Sequence, residues 1–246
     1  MKRKQSPIRL LKTVLIFGAA LSIFIIVSCK KDKKSTPSNT LKYHGVTYNT
    51  IKIGTQTWMV ENLRTTQYRG GTYINQDEKP LAAGLWSGAS NGAWCKYPNA
   101  AEEYGLLYNW HAVNSGADDV KKKLAPTGWH VPTAQDWTIL SNFLEGPDKA
   151  GPALKEGGTA HWNTDNGSNS SGFAALGGGH SGALDGAFSL LKTKGFWWAS
   201  DAAIGNANMV YLDDATGKLT FAQYPKGEGF SVRCVKGSDD PVPAAP

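Results

Sequence analysis

The stretch Val46-Thr47-Tyr48-Asn49-Thr50-Ile51-Lys52-Ile53-Gly54-Thr55-Gln56-Thr57-Trp58-Met59-Val60-Glu61-Asn62-Leu63 starts the fold. It is rich in β-branched and aromatic residues, and they alternate with polar ones. Gly54-Thr55 interrupts the alternation. The reading is a β-hairpin of Val46–Ile53 and residues 57–63.

Downstream, residues 108–113 read as a short helix with Leu107, Trp110 and Val113 inward. The strongest helix pattern is 133–144. Pro132 precedes it, Thr133 can cap it with Asp136 at the third helical position, and Trp137, Leu140 and Leu144 form its apolar stripe. Gly146-Pro147 stops it, and residues 149–156 read as another helical turn or two. From 157 to 186 the chain is mostly Gly, Ser, Asn and Ala and reads as a long loop region. Residues 196–200, 209–212, 219–224 and 230–235 are strand candidates. Hairpin, two main helices, long loops and a small antiparallel sheet make an α+β layout.

The first residues carry a different message. Lys2, Arg3, Lys4, Arg9 and Lys12 have no acid among them, and an apolar run follows from Val14 to Val27. That pattern is a signal peptide, expected over 1–28. The run is short for a membrane span, which needs about 20 apolar residues. It ends in Ile26-Val27-Ser28-Cys29, which resembles the lipobox of bacterial lipoproteins, so Cys29 is the expected lipidation site. Two acyl chains anchor a protein stably where one binds only marginally. Residues 29–42 follow as the lipidated Cys and a flexible polar tether. Residues 43–237 are the size of one domain, and 238–246 read as a frayed Pro-rich tail. Lys30 rather than an acid follows Cys29, which by resemblance to sorting rules favours the outer membrane, on its periplasmic or extracellular face.

The formal charge of +6 suggests nucleic acid, but the distribution excludes it. Nine of the 26 Lys and Arg, against one of the 20 acids, lie in residues 1–34, which leaves the remainder near −2. No basic stripe interleaved with aromatics remains.

Cys29 is assigned to lipid, leaving Cys95 and Cys234 in an oxidising compartment. A disulfide between them is the expectation, closing a loop worth roughly 4–5 kcal/mol in a chain-entropy model.

Several stretches resemble one family. They are Thr50 to Leu63 of the hairpin, Tyr104-Gly105-Leu106-Leu107-Tyr108-Asn109-Trp110, Ala125-Pro126-Thr127-Gly128-Trp129-His130-Val131-Pro132-Thr133, Trp197-Trp198, and Phe230-Ser231-Val232-Arg233-Cys234-Val235. In order and spacing they resemble the Fibrobacter succinogenes major paralogous domain, over about residues 46–236. The resemblance implies a bacterial lipoprotein or surface protein and a C-type-lectin-like fold related to the formylglycine-generating enzyme. Many relatives carry a Cys just before the Pro-Thr-Gly-Trp-His segment. Here Leu124-Ala125 stands there, which leaves Cys95 as the partner for Cys234.

The resemblance brings no established activity. The paired late cysteines of copper-dependent formylglycine-generating enzymes are absent, since only Cys234 stands in that region. His111, His130, His161 and His180 are well separated in sequence. No Gly-x-Ser-x-Gly elbow, phosphate loop or His-Glu-x-x-His occurs. The sequence therefore predicts no catalysis, no metal and no cofactor. The sugar-binding motifs of calcium-dependent lectins are also missing. One stretch, His161-Trp162-Asn163-Thr164-Asp165-Asn166, sets an aromatic face among amide and carboxylate neighbours. His161, Trp162, Asn163, Asp165 and Asn166 are thus candidate sugar ligands; alternatively, Trp162 plugs the core under the loop. Trp197 and Trp198, adjacent in a strand, must face opposite sides. The leading expectation is a non-catalytic surface module of interaction or adhesion, with a glycan or a surface protein as partner. The alternatives are a carbohydrate-binding accessory and a divergent formylglycine-generating-type enzyme.

Overall fold

A computed structural model describes residues 39–76, 91–115, 119–202 and 204–237. The lipobox, most of the tether and the tail lie outside these residues. β1 (Asn39–Tyr43) runs antiparallel to β2 (Val46–Ile53), and β2 to β3 (Gln56–Met59). β1 begins inside the stretch read as tether, so the last residues of that stretch belong to the sheet. Gly54 turns the hairpin at a φ of 60°, a left-handed conformation that suits glycine.

Three short strands follow: β4 (Asn75–Gln76), β5 (Ala93–Cys95) and β6 (Leu107–Tyr108) form a small sheet. Helix α1 (Trp110–Asn114) comes next, then β7 (Trp129–His130), α2 (Ala134–Phe143) and α3 (Pro147–Leu154). The remaining strands are β8 (Gly178–Ser181), β9 (Phe188–Leu191), β10 (Lys194–Ala202), β11 (Asn206–Asp213), β12 (Leu219–Pro225) and β13 (Val235–Lys236). One sheet has the order β1-β2-β3-β13-β7 and the other β12-β11-β10-β8-β9.

Alternation along the strands fills two cores. In β10, Phe196 and Trp198 enter one and Trp197 and Ala199 the other; in β3, Met59 and Trp58 divide in the same way. The central strands β3, β10 and β11 therefore bury side chains on both faces. The first core receives α1 through Trp110, Ala112 and Val113. The second receives α2 and α3 through Trp137, Leu140, Ala150 and Leu154. Residues 229–236 run between the sheets as a seam. Phe230 bridges Tyr108, Ser231 bridges Trp197, and Val235 pairs with Trp58.

This arrangement corrects the α+β, C-type-lectin-like expectation. The chain is mostly β, with 37% strand against 16% helix, and its sheets curl. Its three α-helices among the described residues are short. The helices were read correctly in place, but strands as short as two residues outweigh them. The stretch 157–186, read as loop, contains β8, held by pairing with β9 and β10 rather than by β propensity. The expected Cys95–Cys234 disulfide is also absent. Cys95 pairs across the ribbon with Leu107, while Trp94 pairs with Tyr108. Successive residues face opposite sides. Cys95 therefore packs with Leu107, and Cys234 sits in the core that contains Tyr108.

The α2 start is built as its sequence predicts. The Thr133 hydroxyl accepts from the Asp136 N–H at 3.1 Å, and the Asp136 carboxylate accepts from the Thr133 N–H at 2.8 Å. His130 Nε2 lies 3.1 Å from the same carboxylate. Burial pushes the Asp136 carboxyl up, but the hydrogen bonds from His130 and Thr133 outweigh it and hold it at about 2, against an ordinary 3.8. A depressed folded pKa contributes stability above the unfolded pKa and loses it as pH falls. Thermal unfolding scans should show wild type losing stability between about pH 4 and pH 2 more steeply than Asp136→Asn; parallel losses would contradict this.

Candidate functional site

The expected sugar platform at 161–166 is taken up by internal contacts. Trp162 is fully buried, and its Nε1 donates to the Ala175 carbonyl at 2.9 Å. Beneath it lies Lys155, also fully buried, with its ammonium 4.3 Å from the Trp162 ring centroid. That ammonium donates to Asn166 Oδ1 and, at 3.2 Å, to Asp214 Oδ1. Asn166 Nδ2 donates in turn to the Asp214 carbonyl at 2.6 Å. Burial pushes the Asp214 carboxyl up, but hydrogen bonds from Thr164 and Lys155 prevail and hold it below the usual carboxylate range.

The other three candidates are similarly engaged. Asp165 accepts from the Gly158 N–H at 2.6 Å. Asn163 donates from Nδ2 to the Thr193 hydroxyl at 3.3 Å. His161 lies between two carboxylates, Glu156 at 2.6 Å and Glu103 at 3.2 Å, with its ring edge-on to Tyr104. Of the five, Trp162 and Asn166 meet at the buried lysine, and the other three bond to separate partners. Trp197 and Trp198 are both buried, one in each core, with Nε1 groups bonded to Asn62 Oδ1 and the Tyr108 carbonyl.

An open groove of about 410 Å³ lies elsewhere, between α1 and the stretches around residues 68–75 and 91–92. Asn109 builds its floor. As the cap of α1, Asn109 Oδ1 accepts from the Ala112 and Ala93 N–H groups, and Nδ2 donates to the Asn91 carbonyl at 3.0 Å. Gly92 is required where it stands, because a Cβ there would meet the Tyr68 hydroxyl at 2.0 Å. Helical spacing then puts His111, Asn114 and Ser115 on one exposed face of α1. Asn75 and Asn91 add two more amides, and Tyr73 stands 72% exposed at the rim. Burial, helped by Lys226, pushes the His111 imidazole down. It is therefore neutral at pH 7 and offers one donor and one acceptor. Among the described residues no carboxylate lines the groove, and Lys122 adds one cation to it.

Nothing in the sequence marked this groove, since its residues come from four separated segments. The signal available was the pair His111 and Asn114, three residues apart on a short helix. The sequence also left the histidines isolated, whereas three of them meet carboxylates. His130 meets Asp136, His161 meets both Glu103 and Glu156, and His180 meets Glu228 at 2.9 Å. Among the described residues no group of three or more His, Cys, Asp or Glu is placed to hold a metal.

The role of Trp162 as a core plug has a direct consequence. Trp162→Ala should lower unfolding free energy by about 3–5 kcal/mol in urea titrations. A loss below 1 kcal/mol would mean that the ring is not packed as described.

No curated protein and no solved structure matches the chain. A family model does match residues 51–236, from the middle of β2 through the seam, so the chain belongs to the Fibrobacter succinogenes major domain family.

Proposed function

We propose that the protein is a lipid-anchored surface module that adheres to carbohydrate through the Tyr73 groove. The observation that carries this is the lining itself. A largely exposed phenol ring, three amides, a neutral imidazole and the Lys122 ammonium surround an open cleft with no carboxylate among its described residues. An aromatic face stacks on the apolar face of a sugar, and amides and imidazole exchange hydrogen bonds with its hydroxyls. With no carboxylates among the described lining to chelate an ion, the reading is a glycan bound without calcium.

The anchor half of the proposal rests on the charged start, the apolar run and Ile26-Val27-Ser28-Cys29. Among the described residues no helix is long and apolar enough to cross a membrane. An alkyne-palmitate label should enter the wild-type protein and not Cys29→Ser, which should also leave the membrane fraction. Equal labelling of both would contradict lipidation at Cys29.

For the ligand, a glycan array with the purified protein should give saturable binding that a calcium chelator does not remove. Tyr73→Ala and Asn114→Ala should each weaken binding about 10-fold, one hydrogen bond or stacking contact being worth about 1.4 kcal/mol, without moving the thermal midpoint. A blank array, or unchanged binding by Tyr73→Ala, would overturn the groove as the site.

A further inference from the structure

A second constellation lies on the β8–β9 hairpin. Ser189 in β9 stands directly opposite His180 in β8. Its hydroxyl is 2.7 Å from His180 Nε2, and His180 Nδ1 is 2.9 Å from Glu228 Oε2. This sets a nucleophile, a base and an orienting carboxylate in line at hydrogen-bond distances. With Nδ1–H donated to Glu228, Nε2 is left as the acceptor for the serine proton.

The surroundings suit the role. The imidazole is fixed against Phe196 and Phe230, with ring centroids at 5.2 and 6.1 Å. Reciprocal backbone hydrogen bonds between Ser181 and Gly229 bring Glu228 beside it. The His180 and Glu228 side chains are 18% and 12% exposed, which shelters the relay from bulk water, while Ser189 is only half-buried. The residue after the serine, Leu190, has a φ of 62°. That conformation is costly for a side chain bearing a Cβ and clusters at functional sites. Leu190 is also 38% exposed and gives an apolar surface next to the hydroxyl.

We infer that Ser189, His180 and Glu228 form a nucleophilic relay that hydrolyses short-chain carboxylic esters. Ser189 Oγ bonds to the ester carbonyl carbon as its proton passes to His180 Nε2. The ester C–O bond breaks, and the leaving alkoxide takes that proton and departs as an alcohol. Water then attacks the acyl-serine, giving its proton to His180, which returns it to Ser189 Oγ as the carboxylic acid leaves. Glu228 acts as a positioning residue, holding the imidazole through its contact with Nδ1. The expectation that the chain is non-catalytic rested on linear motifs, and this arrangement has none.

The test is covalent labelling of the full-length protein in detergent with a fluorophosphonate, followed by intact mass and peptide mapping. One phosphonyl adduct is expected, on Ser189 and absent from Ser189→Ala. His180→Gln should label about 100-fold more slowly, as loss of a general base does. Glu228→Gln should label about 10-fold more slowly with an unchanged thermal midpoint, which separates positioning from folding. Saturable hydrolysis of p-nitrophenyl acetate should disappear in Ser189→Ala. No adduct on wild-type Ser189, or labelling indifferent to His180, would overturn the relay.

Discussion

A buried guanidinium hydrogen-bonded to neutral acceptors constrains the whole domain. Arg233 is fully buried, and among the described residues its hydrogen-bond acceptors are one amide and two backbone carbonyls. Asn62 Oδ1 accepts from its Nε at 3.1 Å and its Nη2 at 2.8 Å, while the Phe173 carbonyl accepts from Nη1 and the Ala174 carbonyl from Nη2 at 3.5 Å. The Phe173 ring lies 4.2 Å from the guanidinium carbon. Burial pulls the group down to about 9, so it remains charged at neutral pH. An unsatisfied charge here would cost several kcal/mol. The fold is therefore acceptable only when the hairpin end, the 173–174 turn and the C-terminal seam meet at one point.

Asn62 extends that requirement. Its oxygen also accepts from Trp197 Nε1, and its Nδ2 donates to the Tyr104 carbonyl at 2.9 Å and the Ser231 hydroxyl at 3.3 Å. One amide thus links β10, the approach to β6, and the seam. Both candidate sites hang from the same seam. The Phe230–Tyr108 bridge positions β6 and hence α1, whose outer face lines the groove. The adjoining Gly229–Ser181 bridge brings Glu228 to His180. The domain can therefore carry function on short helices and short strands, because one buried polar knot fixes their mutual positions.

Legibility in the sequence followed the length of the pattern. The hairpin, the Thr133–Asp136 cap and β10 to β12 were readable because each has enough residues to show a period or a reciprocal cap. β4 to β9 were not, since strands of two to four residues carry no period, and Gly178-Gly179 opposes the strand propensity of its own segment. Trp162 was legible in part, its ring being readable either as a sugar face or as a plug of the core. Trp162 is the plug, while Asn163, Asp165 and Asn166 stay exposed and bond to Thr193, Gly158, Lys155 and Asp214, partners that no local pattern shows. The groove and the Ser189 relay assemble from separate segments, His180 lying nine residues from Ser189 and 48 from Glu228. No local motif could mark them.

The central claim is that Asn62 and Arg233 act as one unit. A double-mutant cycle on Asn62→Leu and Arg233→Met, read by urea denaturation, tests it most directly. The predicted result is a coupling of about 1–3 kcal/mol, because Asn62→Leu alone leaves a buried charge short of acceptors whereas the double variant does not. Strict additivity, within about 0.5 kcal/mol, would show that the two residues stabilise the fold independently and would contradict the account.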